Sequence, residues 1–328
     1  MMSDSARKSQ QGLWRCESIL QETWNRKSSA RRGDAGFRKG MYMKIIKNYR
    51  DNTKMRASFN ELAKKTFKIN FEDWYQNGYW TGKYNPYSVV IDDKVAANVS
   101  VNKTDFEWNG KVYHFIQLGT VMTDTEYRHQ GFIREIMKEI DKDCADADGI
   151  YLFAGNNVLD FYPKFGFKTA KQYEYTKAIV GDEKCSVERI SVKEKSELDK
   201  IEELIKTGNH GCAFDMTGNS ELNMFYISKY MKDDVYYHKA SDTYVVAEIE
   251  DGELLIDMVV SVNEPDLDSL ARAFGSEIRK VKLGFTPKNP GGFCASEMDQ
   301  DDRTLHVKGA GFADFEEAKL MFPLLAHA

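Results

Sequence analysis

The chain has 328 residues, a formal charge of −5, 42% hydrophobic and 30% charged residues. This composition is typical of a packed globular protein of about two domains and excludes wholesale disorder. No apolar run approaches the ~18 residues of a membrane helix, and the first forty residues lack the apolar stretch of a signal peptide. Five dispersed cysteines without CxxC spacing indicate reduced thiols, a cytoplasmic location and no zinc site. They are Cys16, Cys144, Cys185, Cys212 and Cys294.

The charge is uneven along the chain. Residues 1–40 hold nine Lys/Arg and four Asp/Glu, a net of +5, whereas the other 288 residues hold 37 and 47, a net of −10. An acidic body argues against a nucleic-acid groove and fits a cationic small substrate. We interpret residues 1–42 as a flexible basic extension or leader, with a nucleic-acid-binding arm as the alternative.

Patterned sequence begins at Met43 and divides into two halves, 43–180 and 184–328, joined by a polar link. In the first half, we expect a strand, two helices, three strands, a helix, a strand, a short helix over 157–165 and further strands. Apolar residues at helical spacing predict the first helix over 54–67, and Asn109-Gly110 predicts a hairpin.

The second half repeats this order. Its pattern predicts helices over 194–206 and 220–231, a three-strand meander over 235–260, and a helix over 267–274. A strand over 279–285, a strand over 305–308 and a terminal helix over 316–322 follow.

The most informative segment is LGTVMTDTEYRHQGFIREIMKEI, residues 118–140. A strand ends, a polar loop turns, and an amphipathic helix begins after Gly131. The first N–H groups of a helix lack intrahelical partners, and the helix dipole adds positive charge there. With Arg128 nearby, this start can hold a phosphate group. An ordinary strand-to-helix turn is the alternative.

A second segment, NNVLDFYPKFGFKTA at residues 156–170, follows a buried strand. Together the two segments resemble the GNAT superfamily of N-acetyltransferases, in which the loop pattern Arg/Gln-x-x-Gly-x-Gly/Ala holds the pyrophosphate of acetyl-CoA. Arg128, Gln130 and Gly131 fit this pattern, while Ile133 replaces its last small residue. The resemblance assigns to the acetyl-CoA site Val121, Met122, Thr123, Arg128, His129, Gln130, Gly131, Phe132, Ile133 and Asn156.

The resemblance also implies roles for single residues. Val121, Met122 and Thr123 end a splayed strand whose backbone meets the pantetheine. Tyr162 aligns with the tyrosine that protonates the departing thiolate; packing beside Phe161 and Phe165 is its alternative role. Asn156 either bonds the pantetheine amide or caps a helix.

Three features of the acceptor side remain open. His129 is either catalytic or a solvent-facing loop residue. Glu72, Asp73 and Glu126 are candidate general bases by region, and each is otherwise a surface charge. The aromatic residues between 71 and 87 either form an acceptor wall, which suits a cationic amine, or belong to the core. They are Phe71, Trp74, Tyr75, Tyr79, Trp80, Tyr84 and Tyr87.

The resemblance implies an α/β (α+β) fold of two tandem GNAT-like domains, each a mixed, mostly antiparallel sheet flanked by helices, with the second domain degenerate. We expect an acetyl-CoA-dependent N-acetyltransferase that acts on a small amine or peptide by direct attack, with no metal, nucleic acid or membrane partner. A non-catalytic acyl-CoA-binding module is the alternative. The sequence leaves open the oligomeric state and whether the carboxylate of Ala328 reaches the site.

Overall fold

The computed structural model describes residues 44–192 and 194–328. The predicted basic extension, residues 1–42, lies outside the described residues. Within the described part, no helix is both long enough and apolar enough to cross a bilayer.

Within the described residues, the first part of the chain forms six strands and three α-helices. Asn52 caps the first helix through its side chain, and Lys68, in the left-handed conformation, ends it. The strands are β1 (Lys44–Ile46), β2 (Tyr84–Ile91), β3 (Lys94–Trp108), β4 (Lys111–Thr123), β5 (Gly149–Ala154) and β6 (Lys168–Thr169). The helices are α1 (Thr53–Phe67), α2 (Glu72–Gln76) and α3 (Phe132–Asp143).

The described residues of the remainder contribute nine strands and three α-helices. The strands are β7 (Tyr173–Ala178), β8 (Val187–Ile190), β9 (Phe214–Thr217), β10 (Val235–His238), β11 (Thr243–Glu250), β12 (Glu253–Ser261), β13 (Lys280–Leu283), β14 (Cys294–Glu297) and β15 (Thr304–Lys308). The helices are α4 (Lys195–Thr207), α5 (Ser220–Lys229) and α6 (Leu267–Arg272).

Two sheets organise these elements. The first has the order β1-β2-β3-β4-β5-β15-β6, with β9 added beside β3, and the second has the order β14-β7-β13-β12-β11-β10-β8. Each contains one parallel pair, β4 with β5 and β12 with β13, among antiparallel neighbours. The predicted fold class, mixed and mostly antiparallel sheets flanked by helices, is confirmed.

The sheets exchange strands across the predicted boundary at 180–184. β7 joins the second sheet, whereas β9 and β15 join the first. A shared core lies between the two parts and includes Phe59 of α1, Phe106 of β3 and Phe225 of α5. Each half therefore contributes strands to the sheet of the other half. The domain boundary at 180–184 stays a prediction.

Separate cores cover the outer faces of the sheets. On the first sheet, α3 packs Phe132, Ile136 and Ile140 against the strands. On the second, α6 packs Leu267 and Leu270 in the same manner. These packings fix the start of each helix against the end of a strand.

Two predicted helices are wrong. Residues 157–165 form two 3₁₀ turns, Asn156–Val158 and Tyr162–Phe165, with Pro163 at the start of the second. Residues 316–319 form turns and residues 320–322 have no regular secondary structure; Phe315, Leu320 and Phe322 enter the shared core from this irregular segment. Strands β8, β9 and β14 were not predicted, since each is four residues long and is fixed by its partner strand.

Candidate active site

The site begins where β4 and β5 separate. Among the described strand residues, these two pair only at Phe115–Gly149, Ile116–Ile150 and Gln117–Tyr151. β4 then continues for six residues to Thr123 along β3, while β5 continues along β15 on its other edge. The divergence opens a gap in the sheet, as the resemblance predicted for the strand before the loop.

A bulge shapes the β4 side of this gap. The register with β3 shifts between Asn98 and Ser100, and Thr120 has a φ of 48°. A β-branched residue rarely takes this conformation, so neighbouring groups must hold it. Asn98 Nδ2 donates to the Thr120 carbonyl oxygen at 2.9 Å, and the Tyr84 hydroxyl lies 2.5 Å from Thr120 Oγ1.

Helix α3 begins at the outer end of the gap. Its cap residue, Gly131, has a φ of 80° and no side chain to bond the first turn. The space where a Cβ would stand on Gly131 contains no described atom within 4 Å. Arg128 is half-buried, and its Nε donates to the Thr123 carbonyl oxygen at 3.5 Å. A helix start and a guanidinium therefore meet at the mouth of the gap, which is a suitable arrangement for an anion.

The gap leads into a cavity of about 430 Å³, a volume within the range of small-molecule sites. Both parts of the chain line it. Its outer lining includes Val121, Met122, Thr123, Arg128, His129, Asn157, Phe161 and Tyr162, and its inner lining includes Phe71, Trp74, Tyr84, Leu222, Phe225, Tyr226, Tyr230, His327 and Ala328.

Tyr162 lies in the cavity wall at the start of a 3₁₀ turn and is 6% exposed. Its ring packs edge-on against Phe161 and lies 5.7 Å from the His306 ring. Burial raises the pKa of the phenol far above its ordinary value. The hydroxyl therefore stays protonated at neutral pH.

The remaining loop residues support the helix start. Phe132 is buried in the outer core of the first sheet, and Ile133 packs against the same core. The large side chain of Ile133 is thus directed into packing and does not crowd the mouth of the cavity. Gln130 is half-buried and His129 is exposed beside it.

The prediction for Asn156 needs correction. Its side-chain amide donates to Asp301 Oδ1 at 2.6 Å, and its oxygen accepts from the Asp302 N–H at 3.1 Å. Both polar atoms thus hold the loop before β15, and neither caps a helix. The neighbouring Asn157 lines the cavity instead.

The candidate bases lie elsewhere. Glu72 pairs with Arg56 at 2.9 Å, which lowers its pKa, and Asp73 and Glu126 are exposed. None of these three described residues lines the cavity. Of the seven predicted aromatic residues, Phe71, Trp74 and Tyr84 line it and the others pack in the cores.

Sequence reasoning did not identify which residues of the second half line the cavity. Leu222, Phe225 and Tyr226 lie on α5 at positions three and four apart, so they share one helix face. Five of the six residues from Leu222 to Ile227 are hydrophobic, and this run was the available signal, because a largely apolar helix is buried. Ala328 also lines the cavity, and a Cβ on Gly119 would overlap its carbonyl oxygen.

Comparison with known proteins shows which family this arrangement of strands and helix resembles. Residues 50–170 match the family model of the GNAT acetyltransferase domain. The matched segment is similar to a GNAT acetyltransferase domain. It contains β4, β5, α3 and Tyr162, so the cavity mouth lies within it. A search of curated proteins found no match.

Solved structures share the fold of this segment and of the part of the chain that follows it. A protein from Enterococcus faecalis, described as a probable N-acyltransferase, superposes with a TM-score of 0.56 at 17% identity, covering 84% of this chain and 74% of its own. A GCN5-related N-acetyltransferase from Anabaena variabilis gives 0.51 at 16% identity, covering 82% and 73%. The family and the fold support acyl transfer as the general activity.

Proposed function

We propose that this protein is an acetyl-CoA-dependent N-acetyltransferase that acetylates a primary amine by direct attack in a ternary complex. The observation that carries the proposal is the continuous cavity. The helix start at Gly131, which can receive an anion, follows Arg128 and His129 of the lining. A protonated buried tyrosine lies in the cavity wall, and aromatic side chains line the inner part.

The mouth suits the diphosphate of acetyl-CoA. Gly131 leaves the helix start open, and Arg128 adds a full positive charge beside it. The separated edge of β4, from Val121 to Thr123, runs inward from this point and offers backbone groups to an extended chain. Acetyl-CoA supplies the activated acetyl group; the residues of this chain position it.

Tyr162 is the proposed acid. When an amine attacks the thioester carbonyl, the C–N bond forms, the C–S bond breaks and a thiolate departs. A phenol that keeps its proton at neutral pH can donate it to the thiolate at short range. No cysteine is found among the described residues that line the cavity, which favours direct transfer over an acyl-enzyme.

The test combines turnover with binding. Purified protein is mixed with acetyl-CoA and a panel of amines, amino acids and peptides, and thiol release is measured. Calorimetry with CoA reports binding separately. We expect one CoA per chain and amine-dependent thiol release. Binding without turnover across the whole panel would instead indicate the acyl-CoA-binding module.

A further inference from the structure

The bulge on β4 lies in the part of this strand that is held from one side. Among the described strand residues, β4 pairs with β5 no further than Gln117, so its end has β3 as its neighbour in the sheet. Pairing with β3 is continuous from Lys111 to Gly119, whereas beyond the bulge the described pairs are those of Met122 and Thr123. The position of this short end against β3 is therefore set at the bulge.

One residue of the bulge has a conformation that its side chain disfavours. Thr120 and Val121 together lie opposite Val99, and Thr120 has a φ of 48°. The left-handed region costs free energy for a β-branched residue. Straightening the strand would remove this cost and move the residues after Thr120 by one place along β3, which exchanges the faces of their side chains. The bulge therefore persists because other groups hold Thr120.

The amide of Asn98, on β3, holds the backbone of the strained residue. Its Nδ2 donates to the Thr120 carbonyl oxygen at 2.9 Å and to Ser100 Oγ at 3.0 Å, which uses both N–H groups of the amide. Asn98 is fully buried and is not among the described residues that line the cavity. Its contact with the site is thus made through Thr120.

A chain of buried hydroxyls fixes the orientation of this amide. Ser88 Oγ, on β2, donates to Asn98 Oδ1 at 2.8 Å, and the Tyr49 hydroxyl lies 2.6 Å from Ser88 Oγ. Because the single hydroxyl proton of Ser88 goes to Asn98, Tyr49 is the donor in its own bond to Ser88. A reversed amide would direct its oxygen at the Thr120 carbonyl oxygen, where no hydrogen bond forms. The chain therefore runs in one direction, from Tyr49 to Thr120.

The second sheet contains a matching bulge without such a donor. The register between β11 and β12 shifts between Val246 and Ala247, with Asp257 as the extra residue. Val246, which stands where Asn98 stands in the first sheet, is apolar, and the φ of Asp257 is not positive. A bulge at this place therefore does not require a left-handed residue. In the first sheet, the left-handed conformation occurs together with the amide donor.

We infer that Asn98 is a positioning residue for the CoA site, because its amide holds Thr120 in the left-handed conformation that places Val121–Thr123 along the gap. This inference rests on the proposed function, in which that edge of β4 contacts the extended pantetheine chain. Arg128 Nε donates to the Thr123 carbonyl oxygen at 3.5 Å, so the guanidinium at the mouth follows the same edge.

The first experiment removes the donor and measures CoA binding by calorimetry. Asn98→Leu keeps a similar volume without an amide. We expect CoA affinity to fall by about 10-fold or more, because the buried Thr120 carbonyl loses its donor and the strand end shifts. Tyr49→Phe is the matched control, since it removes a hydroxyl from the same buried chain and leaves the amide in place. This control should bind CoA as the natural protein does.

The second experiment repeats the comparison after the strain has been removed. Thr120→Gly accepts a positive φ without steric cost, so the bulge no longer needs to be held. In this background, we expect Asn98→Leu to lower CoA affinity by no more than about 3-fold. A loss of equal size in the two backgrounds would show that the conformation of Thr120 is not the link, and would overturn the inference. An equal loss in Tyr49→Phe would also overturn it, as a sign of general loosening.

Folding is verified by circular dichroism and urea titration. If Asn98→Leu does not fold, Asn98→Ala takes its place in both backgrounds with the same expectation, since alanine also lacks the donor. Unchanged CoA affinity in a folded Asn98 variant would overturn this inference and leave the proposed acetyltransferase intact. Absence of CoA binding by the natural protein would overturn both.

Discussion

The two halves of the chain build the same arrangement of a meander, a parallel strand and a helix, and complete it in opposite ways. In the first half, α3 begins at Gly131, which offers no side-chain cap. In the second, the carboxylate of Asp266 accepts hydrogen bonds from the N–H groups of Asp268 and Ser269, both at 3.1 Å, at the start of α6. The helix start that can receive an anion in one half is satisfied by the chain itself in the other.

The gaps between the strands differ as well. After β13, the Gly284 N–H donates to the Ile256 carbonyl oxygen at 2.8 Å, and the Leu324 N–H donates to the Gly284 carbonyl oxygen at 2.8 Å. A Cβ on Gly284 would lie 2.9 Å from Leu324 Cδ1. The segment near Leu324 thus packs beside the second gap, whereas the first remains a cavity. The same framework thus has an uncapped helix start beside an open cavity in the first half and a capped helix start beside a packed gap in the second.

Gly131→Glu should produce the largest effect, because it places a carboxylate at the one uncapped helix start of this pair. We expect CoA affinity to fall by about 100-fold or more, as measured by calorimetry. Gly110→Glu is the matched control: Gly110 also has a positive φ, of 72°, and open space around it, but lies in the β3–β4 hairpin. Unchanged CoA binding in the Gly131 variant would contradict the assignment of the mouth.

Tyr162→Phe tests the proposed chemistry in the first half, where the gap between the strands remains open. The ring packing is retained and only the proton donor is removed, so kcat should fall by about 10²–10³-fold while the Kd of acetyl-CoA changes little. Steady-state kinetics and calorimetry separate these quantities. Equal losses in both would indicate a binding role for the hydroxyl.

Glu248→Gln tests how the stability of the second half depends on pH. Burial raises the pKa of Glu248 from 4.5 to about 7, with the charges of Asp234 and Glu250 adding to the effect. The native state therefore retains a proton that the unfolded chain loses, and stability should fall as pH rises from about 4.5 through 7. Urea midpoints should show a weaker decline for Glu248→Gln than for the natural protein. The exposed Glu183, which is not among the charges that act on Glu248, provides the control Glu183→Gln; a decline of equal size in all three proteins would refute the assignment.

Asp266→Ala should have the smallest effect. Loss of the cap should lower the free energy of unfolding by about 1 kcal/mol, measured by urea titration, and leave CoA binding unchanged because the second gap remains packed. Asp182→Ala, at an exposed position, is the control. A change in CoA affinity would show that the two halves are energetically coupled at this helix.

The sequence alone determined the framework of the first half. The loop from Arg128 to Gly131 and the apolar face of the following helix indicate a strand end, a turn and an uncapped helix start, because these features depend on residues close in the chain. Tyr162 was located by its position in a short motif in the same way. The sequence also places Asp266 and Asp268 at the start of α6, where carboxylates disfavour a phosphate.

Only the tertiary structure decided which residues line the cavity beyond its mouth. Asn156 bonds a loop more than 140 residues away, and Phe225 stacks on Phe71 across the two halves. The exchange of β7 and β15 between the sheets brings these segments together. Contacts at such separations depend on how the sheets pack, and local pattern does not encode that packing. The lining of the cavity is therefore mostly apolar even though the chain that forms it is acidic.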